Sequence, residues 1–177
     1  MTGSEILSYC ETRLGRSLDS DLALEAINES LREIADAGLL YAIATVTVDD
    51  IDNKFEMPDD YTYIEQVIKK DDDKEYLYED YTFRGGQIEF EDEGDYEIIA
   101  RKMPESIENI SDSLVEIHPL FYNAIKYYAL AWFKENDQFG SKGSQVLYER
   151  FNKRIIKASK TLLRSEPNKS WRVIRNA

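Results

Sequence analysis

The sequence predicts an α+β fold, a helical bundle with a central antiparallel β-hairpin insertion. Three observations carry this expectation. Apolar residues recur at helical spacing near both ends of the 177-residue chain, strand-and-turn texture fills its middle, and the run 120–133 is apolar on nearly every side. One domain is expected, within the usual span of about 100 to 200 residues. The bundle is placed at 4–40 and 112–164, the β insertion at 41–104 and an extended C-terminal tail at 165–177.

Ser4 is expected to cap a first short helix with Ile6, Leu7, Cys10 and Leu14 on one side and Gly15 at its end. A longer helix follows from Asp19 or Ser20. Its apolar positions Leu24, Ile27, Leu31 and Ile34 are three, four and three apart, Glu25, Glu29 and Glu33 line the opposite face, and Gly38 marks its end. From Tyr41 the texture becomes β. Ile43, Val46 and Val48 precede a polar break at 49–53 and a short strand at 55–57. Two hairpins are expected next. One joins 64–70 to 75–78 through the turn Asp71-Asp72-Asp73-Lys74, and the other joins 87–90 to 95–101 through Glu91-Asp92-Glu93-Gly94.

Pro104 closes the β region, and Ser111-Asp112 offers a cap before the chain turns helical again. The run Pro119 to Phe133 suits a helix surrounded by other elements or by neighbouring subunits. A last long helix runs to about Arg164, with Leu147, Phe151, Ile155, Ala158 and Leu162 on one stripe. Arg150, Lys153, Lys157, Lys160 and Arg164 form a second stripe at spacings of three, four, three and four. Beyond it, Trp171, Arg172, Val173, Ile174 and Arg175 belong to a tail too short for a core of its own.

The residue inventory argues against most chemistry. A lone Cys10 excludes an internal disulfide and a CxxC metal site, and fits a reducing compartment. The one histidine, His118, stands before Pro119 at a helix start, and no nucleophile–base pair is legible around it. Asp50 and Asp52 begin like a calcium loop, but the fifth position is Lys54, the bend glycine is missing and the twelfth position is Tyr61. Gly85-Gly86 reads as a tight turn ahead of a strand, with no phosphate-binding pattern around it. No catalytic residue, metal or cofactor is therefore expected. The N-terminus lacks the basic start and apolar stretch of a secretory signal, which predicts a protein kept in the cytosol unless something carries it out. The run 120–133 is too short for a membrane helix, so no membrane partner is expected.

Charge is the most informative quantity. The chain carries 35 acidic and 22 basic side chains, a net −13, which repels nucleic acid and anionic membranes at long range. The excess is uneven: residues 1–119 hold 31 acidic and 10 basic side chains, whereas residues 120–177 hold 4 and 12. The basic stripe has three readings: a grip on DNA phosphates, a solvated face, or a protein contact in which the basic half of one copy meets the acidic half of another. The last accounts for both signs and favours head-to-tail association.

The order of elements resembles the head-to-tail adaptor (connector) proteins of tailed bacteriophages. The likeness lies in two N-terminal helices, a β insertion opened by Met57-Pro58-Asp59-Asp60-Tyr61, the strand Tyr96-Glu97-Ile98-Ile99-Ala100 leading to Met103-Pro104, and Glu116-Ile117-His118-Pro119 leading into an Ala/Tyr/Trp-rich helix. It spans roughly residues 5–164. The resemblance implies a non-enzymatic virion protein, present in the host cytoplasm before assembly. Its copies would form a ring, commonly a dodecamer, beneath the portal protein and above a tail or stopper protein. DNA would pass through the lumen in transient, non-specific proximity.

By the same resemblance, Arg150, Lys153, Lys157, Lys160, Arg164 and Trp171 to Arg175 make portal or subunit contacts. Asp71, Asp72, Asp73, Glu91, Asp92 and Glu93 face the tail or the lumen. An acidic duct suits sliding DNA, because many lysine contacts to phosphate would hold it fast. The alternative function is a cytosolic nucleic-acid-binding regulator that uses the basic face of the last helix.

Overall fold

The computed structural model describes residues 1–49, 53–71, 74–114, 117–136 and 143–165, the last four by backbone alone. Within these the chain divides into a helical unit, residues 1–34 with those from Glu105 onward, and a β unit, residues 35–104.

In the helical unit, α1 spans Gly3–Leu14. Its cap is Thr2, two residues before the expected Ser4. The Thr2 hydroxyl accepts from the Glu5 N–H at 3.3 Å, and the Glu5 carboxylate accepts from the Thr2 N–H at 2.9 Å. Ser4 instead donates its hydroxyl to the Ile110 carbonyl at 3.0 Å. Gly15 closes the helix at φ 69°, where a side chain would be strained. Helix α2, Ser20–Asp36, starts at Asp19, whose carboxylate accepts from the N–H groups of Asp21 and Leu22. Ile27, Leu31 and Ile34 are buried on its inward stripe.

Residues 105–114 run beside the start of α1. Gly3 N–H donates to the Asp112 carbonyl, Leu114 N–H donates to that of Met1, and a Cβ on Gly3 would lie 2.7 Å from the Ile110 carbonyl oxygen. Only glycine fits there. A single 3₁₀ turn, Pro119–Phe121, leads into α3, Tyr122–Glu135, which packs against α1 and α4, Ser144–Ser165. Ala124, Ile125, Tyr128, Ala129, Leu130, Ala131 and Phe133 of α3 are all buried, which explains its lack of a single apolar face. Most of the link at 137–144 lies outside the described residues.

The expected helical bundle with a central β-hairpin insertion is overturned by the middle of the chain. Among its described residues are seven strands: β1 Tyr41–Val48, β2 Lys54–Glu56, β3 Tyr61–Asp71, β4 Lys74–Leu77, β5 Tyr81–Arg84, β6 Gln87–Phe90 and β7 Gly94–Lys102. They form two antiparallel sheets, one ordered β1-β7-β3-β4 and the other β2-β6-β5. The expected β3–β4 hairpin is present, with Ile68 opposite Leu77. The second expected hairpin is not. Strand β6 pairs with β5 across Gly85-Gly86, while β7 crosses to the other sheet and pairs with β1 and β3.

The physical reason lies in the inward residues. Ile88 and Phe90 of one sheet, and Val67, Tyr96, Ile98 and Ala100 of the other, are buried in one cluster with Val48, Met57 and Tyr78. Each sheet has an apolar face that needs a covering layer, and the other sheet supplies it.

Candidate functional site

Basic residues of the helical unit collect on one face of α4. Leu147, Phe151, Ile155 and Ala158 are buried, so helical geometry turns Arg150, Lys153, Arg154, Lys157 and Lys160 outward, and all five are exposed. Phe151 packs edge-on against Tyr128 of α3, with ring centroids 5.0 Å apart, which fixes the rotation of α4. Arg150, Lys153, Arg154 and Lys157 then line an open pocket of about 330 Å³ whose remaining wall is Tyr127. The Arg150 guanidinium lies 6.0 Å from the Tyr127 ring centroid.

Of the expected contact residues, the structure therefore brings Arg150, Lys153 and Lys157 together. Lys160 is exposed but does not line the pocket. The Arg164 side chain and Trp171, Arg172, Val173, Ile174 and Arg175 lie outside the described residues. Sequence reasoning missed Arg154 and Tyr127. Arg154 is four residues after Arg150 and three before Lys157, a spacing that places it on the same face. Tyr127 gave no signal, because α3 is apolar on most sides.

The acidic residues are distributed differently. Asp71 ends β3, where its carboxylate accepts from the Tyr76 hydroxyl at 3.3 Å, and Asp72 and Asp73 lie outside the described residues. Glu91, Asp92 and Glu93 are exposed where the chain passes from β6 to β7, a crossing between sheets and not a hairpin tip. The Asp92 carboxylate lies 3.7 Å from the Lys69 ammonium. The same segment touches a second loop, since Glu91 N–H donates to the Asp80 carbonyl at 3.2 Å.

The groups with chemical potential are otherwise engaged. His118 accepts the Leu120 N–H on Nδ1 at 3.2 Å and so caps the 3₁₀ turn. Burial pushes the Cys10 thiol up to about 12, which keeps it protonated and unreactive at neutral pH. Among the described residues no three His, Cys, Asp or Glu side chains gather as a metal site, and no helix is long and apolar enough to cross a membrane. A second open pocket, about 480 Å³, is lined by Asn53, Thr82, Arg84, Glu89, Phe90 and Glu91, a mixed-sign wall that selects no ligand charge.

By unit, the charge divides sharply. Residues 35–104 carry 20 acidic and 7 basic side chains, a net −13, while the rest of the chain carries 15 of each. The entire net charge belongs to the β unit. No protein-family model matches the chain, and no curated protein matches it.

Proposed function

We propose that this chain is a structural head-to-tail adaptor of a tailed phage virion. Its copies form a ring beneath the portal and join it to the tail, with DNA passing through the lumen. The observation that carries the reading is the division of charge between the two units. The β unit holds the net −13, a field that keeps a moving duplex from sticking, and the helical unit offers a basic, aromatic-backed face suited to protein carboxylates. The order of elements adds to this through its resemblance to phage adaptors.

A nucleic-acid-binding regulator is the second reading, favoured by the four cations that line the α4 pocket. The net charge opposes it, because a duplex approaching this chain meets strong long-range repulsion.

Mixing the purified chain with an isolated portal ring tests the proposal. A stacked complex, seen by mass measurement and electron microscopy, is the expected result, and the absence of attachment would overturn it. A gel-shift assay separates the two readings: tight DNA binding by the monomer at physiological salt would favour the regulator.

A further inference from the structure

The four cations of the α4 pocket repel one another. Arg150 with Lys153, Arg150 with Arg154, Lys153 with Lys157, and Arg154 with Lys157 are like-charge neighbours at helical spacings of three and four, each an unfavourable pair. Among the described residues no carboxylate lines the pocket. Lys153 has one acidic neighbour, Glu149 at 4.0 Å, and both side chains are exposed. Among the described residues, Arg150, Arg154 and Lys157 form no ion pair. An anion seated between them would relieve the repulsion and gain charge-assisted hydrogen bonds from the two guanidinium groups.

Complementary charge is present on the same chain. The loop containing Glu79 and Asp80 and the crossing at Glu91–Glu93 are tied by the Glu91-to-Asp80 backbone bond. Asp92 is held at both of its backbone groups: its N–H donates to the Tyr78 hydroxyl at 3.1 Å, and its carbonyl accepts the Tyr96 hydroxyl at 2.7 Å. Tyr78 and Tyr96 are core residues, so this acidic knob is built on a fixed base. Glu79, Asp80 and Glu91 are exposed on it. A fixed knob and a helix-borne pocket lose little freedom on meeting.

We infer that the α4 pocket is the receptor for the acidic knob of a second copy of this chain. The contact is heterologous: each molecule offers one knob, carried by the β unit, and one pocket, carried by the helical unit, so association runs head to tail and closes only if the rotation allows. A second copy is the occupant because the complementary acidic knob, with Glu79, Asp80 and Glu91 exposed, is part of this chain, and a duplex is the competing occupant that the test separates. The inference names the subunit joint of the ring proposed above, and it rests on that reading for closure, while the contact itself can be measured without a portal.

The test uses sedimentation velocity of the full chain at low and high salt. A pocket variant carries Arg150→Glu with Arg154→Glu, and a knob variant carries Glu79→Lys with Glu91→Lys. All four side chains are exposed, so unchanged circular dichroism and melting temperature serve as the folding control. The wild-type chain should form dimers and larger species at low salt, and high salt should weaken them. Each variant alone should lose self-association by about tenfold or more.

An equimolar mixture of the two variants should restore a dimer and nothing larger, because the first keeps its knob and the second keeps its pocket. A monomeric wild type, a variant that assembles like wild type, or a mixture that stays monomeric would each overturn the inference. Duplex DNA retained by the wild type and released by the pocket variant, without self-association, would overturn it in favour of a nucleic-acid site. Self-association as described without attachment to a portal ring would uphold the contact and overturn the adaptor reading. Portal attachment by a wild type that never self-associates would overturn the contact alone.

Discussion

The buried hydroxyl of Tyr96 donates to the Asp92 carbonyl oxygen at 2.7 Å, joining the core of the β unit to its acidic crossing. The Tyr96 ring lies 4.4 Å from Phe90 and 4.9 Å from Tyr78, centroid to centroid, so the donor cannot drift. Tyr96→Phe keeps the packing and removes the hydroxyl that donates to Asp92 and receives the Tyr78 hydroxyl. It should cost about 1 to 3 kcal/mol in urea unfolding and speed amide hydrogen exchange in residues 91–93. Equal stability and equal exchange would show that the crossing is held by other contacts.

Alkali should destabilise the chain through its buried phenols. Burial pushes the Tyr78 phenol from 10.0 to about 12, and burial also raises Tyr96. In the helical unit, Tyr128 is raised by burial and then by Glu29 and Glu33, and Tyr148 by burial and its hydrogen bond to Glu135. A phenol whose folded value exceeds its unfolded one holds its proton more tightly in the native state. Its contribution is complete below about pH 10 and is lost as pH rises through the folded value. Urea unfolding across a pH series should therefore show stability level up to about pH 10 and falling above it. A rising or flat curve there would contradict the burial of these rings.

Phe151 should be the most sensitive position on α4. It is 3% exposed and makes an edge-on contact with Tyr128, while its neighbours Arg150 and Asn152 face outward. Phe151→Ala should cost about 3 to 5 kcal/mol, the usual penalty for truncating a buried aromatic ring. Differential scanning calorimetry would show it as a clear fall in Tm. A retained Tm would mean that α4 is rotated relative to α3.

The rotation of α4 was legible because its apolar and basic residues follow the same three-and-four spacing on opposite sides. The pairing of the strands was not. Acidic residues ahead of a glycine look alike at a hairpin tip and at a crossing, and Gly94, at φ 146°, begins a strand that leaves the neighbouring sheet. The pairing of Tyr41 with Arg101 joins residues far apart in sequence, and no turn chemistry records it. Strand β5 was missed although Tyr81-Thr82-Phe83-Arg84 alternates apolar and polar residues, because a run of four is too short to carry a period and its Phe83 is exposed. At the site, one stripe of spacings led through Lys153 and bypassed Arg154, although a helix face is wide enough for both.

Within the helical unit, Asn28 clamps Ile107 as a second backbone strand would. Its amide nitrogen donates to the Ile107 carbonyl at 3.0 Å, and its amide oxygen accepts the Ile107 N–H at 2.9 Å. Asn28→Asp preserves shape and acceptor, but at neutral pH it sets a carboxylate oxygen against a carbonyl oxygen. The variant should lose about 1 to 3 kcal/mol there, the cost of an unpaired polar group. A protonated carboxyl can donate to the Ile107 carbonyl while still accepting its N–H, so the native state favours the proton. The folded value of the introduced acid then lies above the ordinary aspartate value of about 3.9. Stability relative to wild type should be recovered below that ordinary value and lost as pH rises through the raised one. Asn28→Leu lacks both groups and should show a deficit independent of pH. Parallel acid series of the two variants would reveal the clamp by the difference between their slopes, and equal slopes would show that Asn28 acts only by filling space.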